Sequence, residues 1–275
     1  MNVMCDIFNV TRGGYYRHVD RPASVSDVRR AQLVEQIRQA HAGSRKLYGS
    51  PRVTVELNER GVAVSENTVA RLMNRHGIRS KATAQFRTQT TDSNHPNPIA
   101  PNLLERDFTA KRLNRKWCCD ITYIPTEEGT LYLAGVLDLC SRKIVGWAMA
   151  DHMKASLCLN AIDMAMLHRR PESGLVHHSD RGVQYACDAY RDRLDEHGVA
   201  VSMSRVGDCY DNAAMESFWS TLKRELLYQQ PQGRFATRQQ AMRMIFEYIE
   251  VYYNRQRRHS AIGFVSPETF EASLN

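Results

Sequence analysis

Apolar residues recur at helical spacing in the first 80 residues and in short continuous runs beyond residue 116. Over 26–42, Val28, Ala31, Val34 and Ile37 return every three residues, with Asp27 placed to favour a helix dipole, which predicts one amphipathic helix. A second helix, from Pro51 to about Arg60, turns Val53 and Leu57 inward and ends at Gly61. A third starts from Ser65 as N-cap, sets Val69, Leu72 and Met73 on one face and stops at Gly77. Its other face carries Asn67, Thr68, Arg71, Asn74 and Arg75. Two helices joined by a tight glycine-containing turn, the second showing Asn, Thr and Arg outward, form the pattern of a helix-turn-helix that enters the major groove. A small helical bundle with a solvated face has the same pattern.

From 80 to 102 the periodicity gives way to Thr, Gln, Asn and Pro, including His95-Pro96-Asn97-Pro98, which predicts a linker or extended arm. Beyond Lys116 the runs 117–124, 130–139 and 143–150 are apolar, rich in β-branched and aromatic residues, and predict three consecutive antiparallel strands. A helix over 154–168, a strand over 175–178, a helix over 188–197 and a strand over 199–203 follow. An amphipathic helix over 211–227 buries Met215, Phe218, Trp219, Leu222 and Leu226, and a further helix after Thr237 accounts for Tyr252 and Tyr253 as packing residues. This order predicts an α/β fold, a mixed sheet of five strands flanked by helices, after a small all-α domain. The boundaries fall at 1–79, 80–102 and 103–275, the last ending in a helical extension.

Length and composition leave this picture intact. A chain of 275 residues holds one or two domains, and 43% hydrophobic with 24% charged residues excludes a disordered chain. No run approaches the roughly 18 apolar residues that span a bilayer. Residues 1–10 contain Asp6 and no basic region leading into an apolar stretch, so the expected location is a cytoplasm rather than a membrane. Seven scattered cysteines without CxxC spacing predict reduced thiols and no zinc site. Charge does change the picture. Residues 1–100 hold 15 Lys and Arg against 8 Asp and Glu, the remainder 22 against 22, so the whole excess of +7 lies in the first 100 residues, as expected where that part meets a polyanion.

Three acids are candidates for chemistry. Asp120 stands mid-strand, where a buried carboxylate needs a cation or hydrogen-bond donors. Alternation alternatively turns it, with Cys118 and Thr122, to a solvated face. Asp180 ends the strand before Arg181-Gly182, where open α/β sheets build their sites, although a turn former or cap fits the same place. Glu216 and Lys223 lie two helical turns apart and share a face. Hard divalent cations take carboxylate oxygens, and phosphodiester cleavage by two metal ions needs shared acids. Lys223 would then face a phosphate backbone. Of His177 and His178, adjacent on a strand, at most one can point to such a site. Arg255, Arg257, Arg258 and His259 are candidates for phosphate contacts or a merely solvated run. No GxSxG, Walker loop or GxGxxG is present.

The segments WCCDITYIPTEEGTLYLAGVLDLCSRKIVGW (117–147), HHSDRGVQYACDAY (177–190) and SMSRVGDCYDNAAMESFWSTLKREL (202–226) resemble the DDE transposases of the insertion-sequence-three family, in particular their second-frame (OrfB) product. So do YGSPRVTVELNERGVAVSENTVARLM (48–73) and YNRQRRHSAIGFVSPETF (253–270), with 35 residues between Asp180 and Glu216. Asp208 and Ala214 stand where relatives often carry Asn and Pro. The resemblance implies a ribonuclease-H-like, retroviral-integrase-like core with Asp120, Asp180 and Glu216 as catalytic ligands of two Mg²⁺ ions, Mn²⁺ substituting. It implies transposition, integration and recombination of DNA by cleavage at the terminal repeats of a mobile element and transfer to target DNA. Expected DNA contacts are Lys223, Asn67, Thr68, Arg71, Arg75 and Arg257. Expected partners are a first-frame protein (OrfA), joined at times by frameshifting, and further copies in a homo-multimer on DNA. A DNA-binding regulator with an inactive core and a host nuclease of the same fold are the competing functions.

Overall fold

The computed structural model describes residues 7, 10–19, 24–82, 98–205 and 209–274. The chain divides into two compact units, residues 1–80 and 81–275. Most of the expected arm over 80–102, and Asp208, lie outside the described residues.

In the first unit, helix α1 (Arg12–Val19) precedes α2 (Val25–Gly43), α3 (Ser50–Glu59) and α4 (Glu66–Arg75). Ser24 caps α2 by accepting from Asp27 N, and Ser65 caps α4 by accepting from Thr68 N, so each helix starts where its first free N–H groups find an oxygen. Gly61 and Gly77 have φ of +81° and +65°, left-handed values that let the chain leave α3 and α4 sharply. Val34, Ile37, Ala40, Tyr48, Val53, Leu57, Val69, Leu72 and Met73 make one core. Val28 and Ala31 do not join it, against the sequence expectation; Val28 is 45% exposed. The reason is length: α2 runs about 28 Å at 1.5 Å per residue, and the ten-residue helices packed on it, about 15 Å each, cover only its second half.

The second unit is a five-stranded mixed sheet in the order β3-β2-β1-β4-β5, built from β1 (Lys116–Thr126), β2 (Gly129–Asp138), β3 (Ile144–Ala150), β4 (Val176–Ser179) and β5 (Ala200–Met203). β1, β2 and β3 pair antiparallel, β1, β4 and β5 parallel, as expected for a ribonuclease-H-like core. On one face α5 (Ala155–Arg169), the short α6 (Val183–Ala186) and α7 (Asp188–Glu196) bury Leu157, Ala161, Ile162, Tyr185, Tyr190 and Leu194 against Trp117, Cys119 and Val136. Gly146 is required there, since a Cβ on it would lie 2.2 Å from the Ala161 carbonyl oxygen of α5. The other face is covered by α8 (Ala213–Glu225), whose Met215 and Trp219 lie over Gly135. Cys118 and Thr122 are accordingly buried, which rules out the solvated face that alternation alone permits.

α9 (Arg238–Phe246) runs into a π-helical turn, Glu247–Tyr253, that buries Tyr248, Ile249, Tyr252 and Tyr253. The Asn254 side chain accepts from Ile144 N (3.0 Å) and donates to Ile144 O (2.9 Å), closing part of the edge of β3 as another strand would. Glu271 of α10 (Pro267–Ala272) takes both Arg169 Nη1 and Nη2 at 2.8 Å, tying the carboxyl-terminal helix to α5. Among the described residues no helix is long and apolar enough to cross a membrane.

Candidate active site

Strand register brings two of the acids together. The parallel pairing of β1 with β4 ends at Cys119 opposite Ser179, so Asp120 and Asp180 each follow directly on the last paired residues. β4 stops at that point, and Asp180 turns the chain away: its Oδ1 accepts from Gly182 N at 3.0 Å. Asn212, at the start of α8, donates through Nδ2 to Cys119 O (3.3 Å), tying the beginning of that helix to the strand beside Asp120. Glu216, Trp219 and Lys223 follow at i, i+3 and i+7, one stripe of the helix.

Asp120 is half-buried and held at both oxygens. Oδ1 accepts from Ile121 N (2.8 Å) and Oδ2 from the Trp219 indole N–H (2.9 Å). Burial pushes its carboxyl up to about 8, and the charges of Asp180 and, to a lesser degree, Glu216 push the same way against those two hydrogen bonds. Lys223 is held below the ordinary lysine value by burial, with the Asp120 charge acting in the opposite sense. The three acids and the lysine therefore share one field. They do not form a closed ligand set: among the described residues no three His, Cys, Asp or Glu side chains gather as for a metal ion. Like charges resist closing on one another, and a divalent cation is the group that relieves such repulsion. Hard oxygen donors on three separate elements suit that ion by donor type.

Two stretches match models of an integrase core domain, residues 110–209 and 197–267, and residues 28–86 match an HTH-like domain. An uncharacterized 31 kDa protein of insertion element IS600 from Shigella sonnei is 45% identical over 267 residues, 97% of each chain. Transposase InsF of insertion sequence IS3A from Escherichia coli K12 is 40% identical over 273 residues, 98% of this chain and 93% of that one. The chain belongs to the IS3 family of transposases. In this IS3-family transposase the first core match contains Asp120 and Asp180, the second Glu216 and Lys223. The magnesium complex of the HTLV-2 integrase catalytic core, 10% identical, aligns at a TM-score of 0.43 over 59% of this chain and 99% of that one.

The remaining candidates separate by position. Asn67, Arg71 and Arg75 of the transposase are exposed on α4, whereas Thr68 is half-buried with its hydroxyl 3.0 Å from the capping Ser65 Oγ. Arg257 needs correction as a phosphate contact. It is 4% exposed and gives Nη2 and Nε to the buried Glu225 at 2.8 and 2.9 Å, with Tyr248 OH donating to the same carboxylate at 2.8 Å. Glu225 continues the apolar stripe of Phe218 and Leu222, and a carboxylate so buried demands a cation. Arg255 lies near Glu268 (3.6 Å) and Arg258 donates to Phe264 O. Neither histidine joins the acids: His177 meets Tyr190 OH (2.9 Å), and His178 lies between Ser202 Oγ and Asp211 O.

Sequence reasoning missed Trp219 as a polar partner, Asn212 as a strand–helix tie, and Asp138. Asp138 is fully buried at the end of β2 and accepts from Asn114 N, Cys140 N and the Trp117 indole. Only Asp138 had a readable signal, an acid closing an apolar strand. Trp219 reads from sequence as one more core aromatic.

Proposed function

We propose that this transposase cuts DNA at the terminal repeats of its insertion sequence and transfers the freed ends to target DNA through Asp120, Asp180 and Glu216, acting as a polynucleotidyl transferase. The observation that carries the reading is the end of β1–β4 pairing: Asp120 and Asp180 each follow directly on it, and the charges of Asp180 and of Glu216 on α8 both act on Asp120. Divalent cations, Mg²⁺ or Mn²⁺ in its place, would be held by these three carboxylates and would supply Lewis-acid stabilisation of the oxygens at the scissile phosphate.

The chain's own groups do the rest. Asp120, pushed up by burial and then by the Asp180 charge, would have to give up its proton to serve as a ligand, and Ile121 N–H and Trp219 N–H keep the carboxylate aimed. Lys223, two turns from Glu216, faces the phosphodiester and offsets its charge. Cutting uses water and frees a 3′ hydroxyl, which then attacks a second phosphodiester in line, so no protein–DNA bond forms. Residues 1–79 serve as the DNA-binding domain, with Asn67, Arg71 and Arg75 on α4 at the major groove and Thr68 at its margin. Residues 80–102 serve as an arm and 103–275 as the catalytic part. The family resemblance supports an OrfA partner, separate or fused, and a homo-multimer on paired ends.

Purified protein incubated with labelled element ends and Mg²⁺ tests this. The expected result is nicking at the repeat boundary that falls by a factor of about 10³ or more in Asp120→Asn, Asp180→Asn and Glu216→Gln while binding persists. Unchanged nicking in all three variants would sink the assignment.

A further inference from the structure

Trp219 occupies a place that packing alone does not require. Its indole is 6% exposed, and the Nε1 proton goes to Asp120 Oδ2 at 2.9 Å rather than to a backbone carbonyl or water. The ring can lie there because the strand beneath has no side chain. Gly135 is the register partner of Asp120, and a Cβ on it would stand 2.8 Å from Cη2 and 3.2 Å from Cζ2 of Trp219. Phe218 packs beside the indole with ring centroids 4.8 Å apart, so the ring has little room to swing. A glycine on β2, an aromatic on α8 and an acid on β1 thus form one arrangement.

Resting on the reading of Asp120 as a cation ligand, we infer that Trp219 is a positioning residue: its indole N–H, seated over Gly135, fixes the orientation in which the Asp120 carboxylate is offered to a divalent cation. A carboxylate has about four lone-pair positions. Ile121 N–H takes one on Oδ1 and Trp219 N–H one on Oδ2, which leaves one on each oxygen and prevents rotation of the group. Indole is a donor only, so it orients the acid without competing for the cation. Donors of this kind next to metal ligands typically change metal affinity 10–100-fold when removed.

The probe is Mn²⁺, titrated against the full chain and followed by the electron-paramagnetic-resonance signal of the free ion, a readout independent of DNA cleavage. Two variants remove the donor: Trp219→Phe, and replacement of Trp219 by 3-benzothienylalanine, which keeps the bicyclic ring and puts sulfur where the N–H stood. A third, Gly135→Ala, leaves the indole intact and displaces it. The expected result is Mn²⁺ affinity lowered about tenfold or more in the isosteric variant, with its melting temperature in chelator close to wild type, and a loss in the same direction for Gly135→Ala. Should Trp219→Phe fail to fold, the isostere decides alone. Affinity in the isostere equal to wild type or tighter, while Asp120→Asn loses binding, overturns the inference and leaves the acids' role standing. Equal Mn²⁺ binding by wild type and Asp120→Asn overturns both.

Discussion

At the scale of single residues, Asp120 ties pH to stability through its burial and then through the charge of Asp180. Its carboxyl is about 8 when folded against 3.8 as the ordinary value, so between those pH values the folded chain holds a proton that the unfolded chain has released. Stability then falls as pH rises through that window, because the folded state binds the extra proton. Asp120→Asn removes this dependence. In chelator, thermal melts at pH 5 and pH 8 are expected to show the variant gaining stability relative to wild type at the higher pH, with the gap shrinking at the lower. A gap that is constant across the range would mean that Asp120 is ionised throughout. Divalent cations compete with the same proton, so Mg²⁺ is expected to weaken the pH dependence in the wild type alone. His177 works in the opposite sense: burial holds it down to about 3, and protonation of the unfolded chain below its ordinary 6.5 takes stability away as the medium turns acid.

At the scale of elements, the strands were legible because both faces of the sheet are covered, which leaves near-continuous apolar runs such as 117–124 and 130–139. The helix caps at Ser24 and Ser65 and the glycine stops at 61 and 77 act through local hydrogen bonds and backbone strain, and such signals survive in a bare sequence. What depends on a distant partner did not survive. Val28 and Ala31 have the period of a buried face but no helix long enough to cover them, and the π-helical turn at 247–253, which buries Tyr248, Tyr252 and Tyr253, reads from sequence only as helix. The acids were legible as residue types at known separations; that Asp120 and Asp180 each follow directly on the last β1–β4 pair depends on register. Arg257 shows the same limit, since its run of charges looks solvated until Glu225 is found beneath it. Arg257→Met should leave that carboxylate buried and unpaired at a cost of about 3–5 kcal/mol in urea unfolding, and Arg257→Met combined with Glu225→Leu should recover much of the loss. A double-variant loss equal to the sum of the Arg257→Met and Glu225→Leu losses would show that the pair is not coupled.

At the scale of the whole molecule, charge and chemistry are divided between the two units: residues 1–80 hold 13 Lys and Arg against 7 Asp and Glu, the sheet unit 24 against 23, and the acids sit in the sheet unit. A protein arranged in this way can lose cutting without losing DNA, and weaken on DNA without losing its cutting machinery. Arg71 and Arg75 are exposed on α4, and neither supports the core of Val69, Leu72 and Met73. Replacing both with Ala should therefore leave the melting temperature within a degree or two, roughly, as surface changes do. If both neutralise phosphates, the slope of log affinity against log salt on element ends drops by about 2, and weakening is uniform across sequences. If one of them instead reads a guanine edge, binding to the cognate end falls by about 1–3 kcal/mol while non-specific binding changes far less. Titrations of wild type and variant on cognate and scrambled duplexes at several salt concentrations separate these outcomes. An unchanged slope together with unchanged discrimination would remove α4 from the DNA interface and return the first unit to a plain helical bundle.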